Sequence, residues 1–382
     1  MATKPRSIFE DVSQQEAATP ARAKPGAAER ASAAARSAIA AWLKILFALV
    51  VVMIAVGGLT RLTDSGLSIT EWDLVTGAVP PLNAEQWQAE FELYRQIPEY
   101  QLQNRGMSLE EFKFIYWWEW GHRQLGRFIG LVWAIGFVWF ALRRQIPAGW
   151  TPRLLGLGAL GGLQGAIGWW MVSSGLEGTM LDVASYRLAT HLGLAFVILG
   201  LIAWYVMRLG RSEVDLLQAR RVREHGLARL GAIMIALVFL QILMGALVAG
   251  IDAGRSFTDW PLMAGQIIPD NSFVMEPFLS NFFENAGLVQ FNHRILAYIV
   301  LIFGVVLWLR ARKSALGRVR LAHGWMMLAL AVQVVLGIIT VLYAAPWQLA
   351  IAHQFVAVLL WVAVIRARFS SAYPQAQSVR EV

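Results

Sequence analysis

DSGLSITEWDLVTGAVPP, residues 64–81, returns as DAGRSFTDWPLMAGQIIP at residues 252–269. Asp, Gly, Ser, Thr, an acid, Trp, Leu, Gly and the final Pro recur in place at a constant offset of 188. Working outward from this pair, GHRQLGRFIG (121–130) matches NHRILAYIVL (292–301) at offset 171. Gln164 and Gly168 match Gln333 and Gly337 at offset 169, and THLGLAF (190–196) resembles AHQFVAV (352–358) at offset 162. The order holds while the offsets drift, as they do when loops shorten between two copies of one unit.

Each unit holds four apolar runs. Window reading gives runs near 40–60, 122–142, 153–174 and 188–208, then 229–250, 288–309, 322–343 and 348–365. Each is near the roughly 20 residues that cross a hydrocarbon core of about 30 Å. The chain of 382 residues is 57% hydrophobic and only 15% charged, where soluble domains are about a quarter charged. The expected fold is an all-α membrane protein, with eight transmembrane helices arranged as two parallel four-helix-bundle repeats.

Charge sets the orientation. The connections at 143–153 and 310–320 carry Arg143, Arg144 and Arg153, then Arg310, Arg312, Lys313, Arg318 and Arg320, with no acid. Residues 208–229 hold six arginines against three acids. The alternate connections are acidic: ten acids to four bases over 61–120, and five to one over 251–287. This positive-inside pattern puts both termini in the cytoplasm and the long loops outside. It also accounts for the net charge of +8 without a nucleic-acid partner.

The expected organisation follows. Residues 1–38, rich in Ala, Arg, Pro and Ser, read as a disordered cytoplasmic tail. The first repeat spans 39–210, with outer-surface helices over 83–120. A cytoplasmic linker (211–226), the second repeat (227–368) and a cytoplasmic tail (369–382) complete the chain. The first apolar run starts too late for a cleavable signal peptide, and Glu10, Asp11, Glu16 and Glu29 speak against an organellar transit peptide.

The six histidines divide by position. His225 and His323 fall in basic cytoplasmic connections and read as solvated loop residues. His122, His191, His293 and His353 fall in runs two, four, six and eight, which all cross from outside to inside. They precede the first inner arginine (Arg143, Arg208, Arg310, Arg366) by 21, 17, 17 and 13 residues. At 1.5 Å per residue all four lie in the outer half of the membrane.

A lone histidine in an apolar helix is usually a hydrogen-bonded packing residue. Four at a common depth, one pair per repeat, point instead to function. Two histidines on facing helices of a four-helix bundle suit bis-imidazole haem ligation, which gives one haem per repeat. Zinc or di-iron sites would want more carboxylates or thiolates among the spans, and the chain has no cysteine. Arg123 and Arg294 follow ligand candidates directly. They are placed either to meet haem propionates or to anchor at the interface by snorkelling.

The halves differ at one telling position. Glu119 lies three residues before His122 and faces the same way on a helix, whereas its counterpart in the second half is Gln290, which cannot ionise. The first repeat is therefore expected to be reactive, with Glu119 catalytic, and the second to resemble a plain electron-transfer cytochrome. The first outer loop is also longer. NAEQWQAEFELY (83–94) and SLEEFKFIYWWEW (108–120) each open with a capping box and carry aromatic faces that suit the membrane surface or a lid over the first haem. The paired loops quoted at the outset, with Asp64 and Asp252, read as turns tying each outer loop to its bundle.

With GGLTRLTDSGLSITEW, the E-x-x-H-R of 119–123, the H-R of 293–294 and the single histidines 191 and 353, the chain from residue 40 onward resembles the haem A synthase (CtaA) family. The resemblance implies oxidation of a ring methyl of haem O to a formyl group, giving haem A for the terminal oxidase. It further implies substrate haem between His122 and His191, a haem B cofactor between His293 and His353, and a catalytic Glu119. As partners it implies the haem O-producing enzyme, a membrane electron donor or acceptor, and cytochrome oxidase assembly. The location it implies is the bacterial inner membrane, with the haem sites towards the periplasmic side. Some members carry an outer-loop cysteine pair; this chain has none, so a different electron donor is expected. The residues alone leave two competitors open, a quinol-linked dihaem cytochrome b and a haem transporter.

Overall fold

The computed structural model describes residues 26–375, apart from 177 and 179. Twelve helices occur among them. The first half contains α1 (Ala27–Leu62), α2 (Ala84–Tyr94), α3 (Pro98–Leu102), α4 (Leu109–Leu142), α5 (Thr151–Val172) and α6 (Ser185–Leu209). A short α7 (Glu213–Arg221) leads to α8 (His225–Gly250), α9 (Asn281–Glu284), α10 (Ala286–Ala311), α11 (Gly317–Leu342) and α12 (Trp347–Ala372). Eight of these are long and apolar enough to cross a membrane: α1, α4, α5, α6, α8, α10, α11 and α12. No strand occurs among the described residues.

Several boundaries differ from the sequence expectation. The tail expected to be unstructured through residue 38 is helical from Ala27, because AAERASAAARSA is built mostly of good helix formers. Residues 1–25 and 376–382 lie outside the described residues, and 369–372 complete α12. The segment 211–226 contains α7, started by a Ser212–Asp215 capping box. Residues 109–120, expected as a separate surface helix, are the first three turns of α4. Ser108 and Glu111 cap that helix reciprocally, and no proline interrupts it before the span. His323 is a further correction. It is buried within α11, with Nδ1 2.9 Å from the Val319 carbonyl oxygen, whereas His225 is exposed at the start of α8.

Helix pairing runs the same way in each half. In the first, α1 packs on α4 and α6, and α5 on α6; in the second, α8 packs on α10 and α12, and α11 on α12. The halves meet through α1 against α12 and α6 against α8, which are equivalent pairs under the sequence offsets. Small residues permit this approach. A Cβ on Gly200 of α6 would sit 2.9 Å from Trp361 Nε1 of α12, whose indole N–H donates to the Phe196 carbonyl at 2.8 Å. The main core, including Leu43, Phe196, Leu199, Met234, Trp361 and Val364, lies along this seam.

Above the first bundle, α2 and α3 fold onto the protruding start of α4. Phe91 and Tyr94 of α2 pack with Tyr100 of α3 and Phe112 and Tyr116 of α4 in a separate aromatic core. The apolar stripe that suggested a membrane-surface helix is thus buried against protein. The result is a cap over the first bundle only.

Candidate functional site

A single cavity of about 1170 Å³ runs through both bundles. That exceeds the roughly 300–1,000 Å³ usual for one small-molecule ligand. All the residues singled out from the sequence line it: Glu119, His122, Arg123 and His191 in the first half, Gln290, His293, Arg294 and His353 in the second. The histidines sit near one end of their bundles. His191, His293 and His353 lie in the second turn of helices beginning at Ser185, Ala286 and Trp347, and His122 lies further along the extended α4.

Each imidazole rests against a glycine of a neighbouring helix. A Cβ would approach the ring Cε1 to 2.9 Å at Gly57 (His122), 2.9 Å at Gly168 (His191), 3.1 Å at Gly245 (His293) and 2.9 Å at Gly337 (His353). Real Cβ atoms almost never come within 3.0 Å, and 3.1 Å at Gly245 is tighter than most real contacts, so the glycines make the seats. Gly57 and Gly245 are equivalent in the repeat, as are Gly168 and Gly337. Of the four, sequence comparison picked out only Gly168 and Gly337.

Three of the four histidines also meet a glutamine amide. Gln164 Nε2 lies 3.2 Å from His191 Nδ1, Gln241 Nε2 3.0 Å from His293 Nδ1, and Gln333 Nε2 3.2 Å from His353 Nε2. The position equivalent to Gln241 in the first half is Met53, so His122 lacks this partner and its buried Nδ1 is unpaired. Buried and unpaired as well are His353 Nδ1 and the amide oxygens of all three glutamines. Among the described residues, no group of three or more His, Asp or Glu side chains converges as a bare metal ion needs. A porphyrin supplies four equatorial nitrogens itself and asks the protein for two axial imidazoles at most. The apolar cavity, the glycine seats and the paired imidazoles fit that group.

Polar contacts bind the outer loops to the histidine helices. Glu119 is buried and accepts from Ser68 Oγ and the Ile69 N–H, both at 2.8 Å, and from Arg123 Nη2 at 2.6 Å. Arg123 also donates to the carbonyls of Ile69 (2.8 Å) and Glu71 (2.9 Å). In the second half Arg294 donates to the carbonyls of Phe257 (2.9 Å), Asp259 (2.9 Å) and Leu262 (3.0 Å). Phe257 is the counterpart of Ile69. There Gln290 Nε2 donates to the Phe257 carbonyl at 3.1 Å, where Glu119 accepts from the Ile69 N–H. The two arginines, read from the sequence as either propionate partners or interfacial anchors, also clamp the D-x-G-x-S-x-T-[DE]-W loops. Asp64 and Asp252 form the left-handed turns that begin those loops, at φ 47° and 50°.

At the rim, one guanidinium joins both halves. Arg61, at the end of α1, meets Asp64 (2.9 Å), Asp252 (3.1 Å) and Asp182 (3.3 Å). Burial pushes the Asp182 carboxyl above its ordinary range, and Arg61 opposes that shift. An Arg61→Met protein should therefore melt earlier at pH 7.5, by an amount equivalent to about 1–2 kcal/mol, because three half-exposed carboxylates would lose their shared cation and keep only Arg255, 3.8 Å from Asp252. The Asp182 carboxyl, already raised by burial, would lose the cation that opposes that shift, so the deficit should shrink as the pH falls towards 5 and this group takes up a proton. A melting deficit that did not change with pH would show that the cluster acts by packing alone.

A second rim carboxyl escaped the sequence reading altogether. Glu99 of α3 is 3% exposed and lines the cavity. Its Oε1 accepts a 3.3 Å hydrogen bond from Asn104 Nδ2, while Oε2 is buried without a partner. Burial, with Asp182, Asp64 and Glu119 nearby, pushes its pKa up to about 8. Nothing in EYQLQN marks this glutamate apart from its neighbours; only the fold of the cap buries it.

Comparison with known proteins matches residues 40–365 to the COX15-CtaA family model, described as a cytochrome oxidase assembly protein. A protein named Heme A synthase from Dinoroseobacter shibae is 63% identical over 380 residues, covering 99% of each chain. Another of that name from Ruegeria pomeroyi is 62% identical over 378 residues, covering 98% of this chain and 99% of the relative. A third, from Cereibacter sphaeroides, is 55% identical over 390 residues, covering all of this chain and 99% of its own.

Proposed function

The chain belongs to the COX15-CtaA family of cytochrome oxidase assembly proteins, and from that premise we propose how its cavity works. It is a multi-pass membrane enzyme of haem A synthesis, which converts haem O to haem A by oxidising a ring methyl to a formyl group. Four cavity-lining imidazoles, each seated on a glycine, carry the reading of its site. His122 and His191 hold the substrate haem; His293 and His353 hold a resident haem B. When bound, haem supplies iron that changes oxidation state.

The protein's own residues divide the work unequally. Gln241 Nε2 donates to the His293 carbonyl oxygen at 3.0 Å and lies against the ring edge, 3.0 Å from Nδ1 and 3.3 Å from Nε2, which steadies the imidazole that would hold the haem. His122 has Met53 in that place and so a less firmly held ring, which suits a substrate that must leave as product. The aromatic cap covers the first bundle alone and keeps water from it. Glu119 places a fixed negative charge on that bundle's wall, where Gln290 is neutral in the other. Both differences support chemistry in the first repeat and electron transfer in the second. Propionate contacts fall to whichever N–H groups of Arg123 and Arg294 the loops leave unengaged.

The charge pattern and the bacterial relatives support a place in the inner membrane, with both termini cytoplasmic and the histidine layer towards the periplasm. Haem O arrives from the enzyme that makes it, haem A leaves for oxidase assembly, and a membrane carrier other than a cysteine pair exchanges the electrons. Purified protein should show low-spin haem with two imidazole ligands, at up to two per chain, and extraction should yield haem A or O beside haem B. Protein made with ample haem that carried none, or carried zinc, would end the two-haem reading. Haem B alone, reduced by quinol with no conversion of haem O, would favour the dihaem cytochrome b instead.

A further inference from the structure

The cap over the first bundle brings with it a carboxyl that the account so far leaves unused. Glu99 is held by α3, between α2 and α4, and the second half has no counterpart of this element. Its immediate neighbours are Tyr94, which is buried, and Asn104, whose amide bridges the Tyr94 hydroxyl (2.8 Å) and Glu99 Oε1 (3.3 Å). The charged groups facing it come from every surrounding element. Asp64 follows α1, Glu119 lies on α4 and Asp182 precedes α6. All three are acidic. The nearby cations are engaged elsewhere, Arg61 by Asp64, Asp182 and Asp252, and Arg123 by Glu119.

A carboxyl with no cation, withdrawn from water and set among other carboxylates is most stable as the neutral acid. The Glu99 pKa of about 8 agrees with that placement. Glu119 is the opposite case. Ser68, the Ile69 N–H and Arg123 all donate to it, so its oxygens are engaged in fastening the loop to α4. The conversion of a methyl to a formyl group exchanges two hydrogens for one oxygen with transfer of protons and electrons, and those protons must cross a chamber whose walls are mostly apolar.

We propose that Glu99 is the proton-exchange group of the first-repeat chamber, passing protons between the reacting substrate and the rim carboxylates Asp182 and Asp64. Glu99 lines the cavity, and its buried, unpartnered Oε2 carries the exchangeable hydrogen. The proton leaves that oxygen for a rim carboxylate oxygen, and the resulting Glu99 carboxylate is reprotonated from the chamber. No electrons move in this step. The proposal rests on haem A synthesis for its substrate, but the protonation state of Glu99 does not.

Infrared titration of the full-length protein in detergent, with Glu99→Gln as reference, separates the two. The wild type should show a protonated-carboxyl band that disappears as the pH rises through about 8 and is missing from Glu99→Gln. In turnover, Glu99→Gln should lower kcat about 10–100-fold with KM for haem O and haem content unchanged. The inflection of the wild-type rate near pH 8 should vanish in Glu99→Gln and return, shifted, in Glu99→Asp. If Glu99→Gln does not fold, Asn104→Leu serves, since loss of the donor to Oε1 should move the band's midpoint to higher pH. Wild-type kcat and pH profile in Glu99→Gln, or no band assignable to Glu99, would overturn the proposal. A band that titrates in a protein making no haem A would uphold the protonated Glu99 and refute the enzymatic reading instead.

Discussion

A Glu119→Gln protein should insert and bind haem normally, yet form haem A about 10²–10⁴-fold more slowly, a loss of roughly 3–5 kcal/mol in transition-state stabilisation. Two causes combine. The negative charge on the wall of the first chamber disappears, so positive charge developing on the oxidised methyl carbon goes uncompensated. The amide also fits badly. Every neighbour of this carboxylate is a donor: Ser68 Oγ, the Ile69 N–H and Arg123. Whichever way the glutamine turns, its NH₂ group faces one of them.

The second repeat shows why this is not a neutral exchange. Gln290 is satisfied because Phe257 turns its carbonyl towards it, where Ile69 turns its N–H towards Glu119. Comparison with Glu119→Asp separates the two causes, since aspartate keeps the charge but shortens the reach to the loop. If charge dominates, Asp should recover most of the rate; if loop anchoring dominates, it should not. Wild-type haem A output from Glu119→Gln would reduce Glu119 to a residue that fastens residues 68–69 to α4.

Much of this was legible before any coordinates, and the reason is periodicity. Spans of about 20 apolar residues and a repeat that preserves its order identify the eight helices and the four histidines without knowledge of their packing. What stayed hidden depends on which helices touch. Gly57 and Gly245 look like any membrane glycine until His122 and His293 are seen against them. Nothing in the sequence singles out Arg61, whose three partners come from residues 64, 182 and 252. His323 misled in the other direction, since flanking arginines suggested a wet loop while its own face of α11 is buried. The start of α1 was missed because an alanine-rich stretch was judged by its lack of apolar pattern rather than by its helix propensity. Glu99 needed the whole cap, built from three helices, before its burial could be known.

The four histidines should not be equivalent when removed, and the difference tests the assignment of the two sites. His293→Ala or His353→Ala should lose about one haem per chain, specifically haem B, because an axial imidazole is lost and the opposite helix cannot supply another. The first bundle should remain intact, since α1 keeps its packing on α4 and α6 and the Trp361 and Gln354 contacts of α12 to it are untouched. These variants should accumulate bound haem O and form haem A slowly, for want of an electron path. His122→Ala or His191→Ala should keep haem B with its low-spin spectrum and form essentially no haem A, a loss beyond the 10²–10⁴-fold expected for Glu119→Gln. Within that pair a further inequality follows from the glutamines. His191 is held by Gln164 and His122 has no such partner, so His122→Ala should retain more bound substrate than His191→Ala. Pigment extraction and quantification for the four proteins decides the matter. If the first-bundle variants lost haem B and the second-bundle variants retained it, the sites would be exchanged, and the catalytic reading of Glu119 would fall with them.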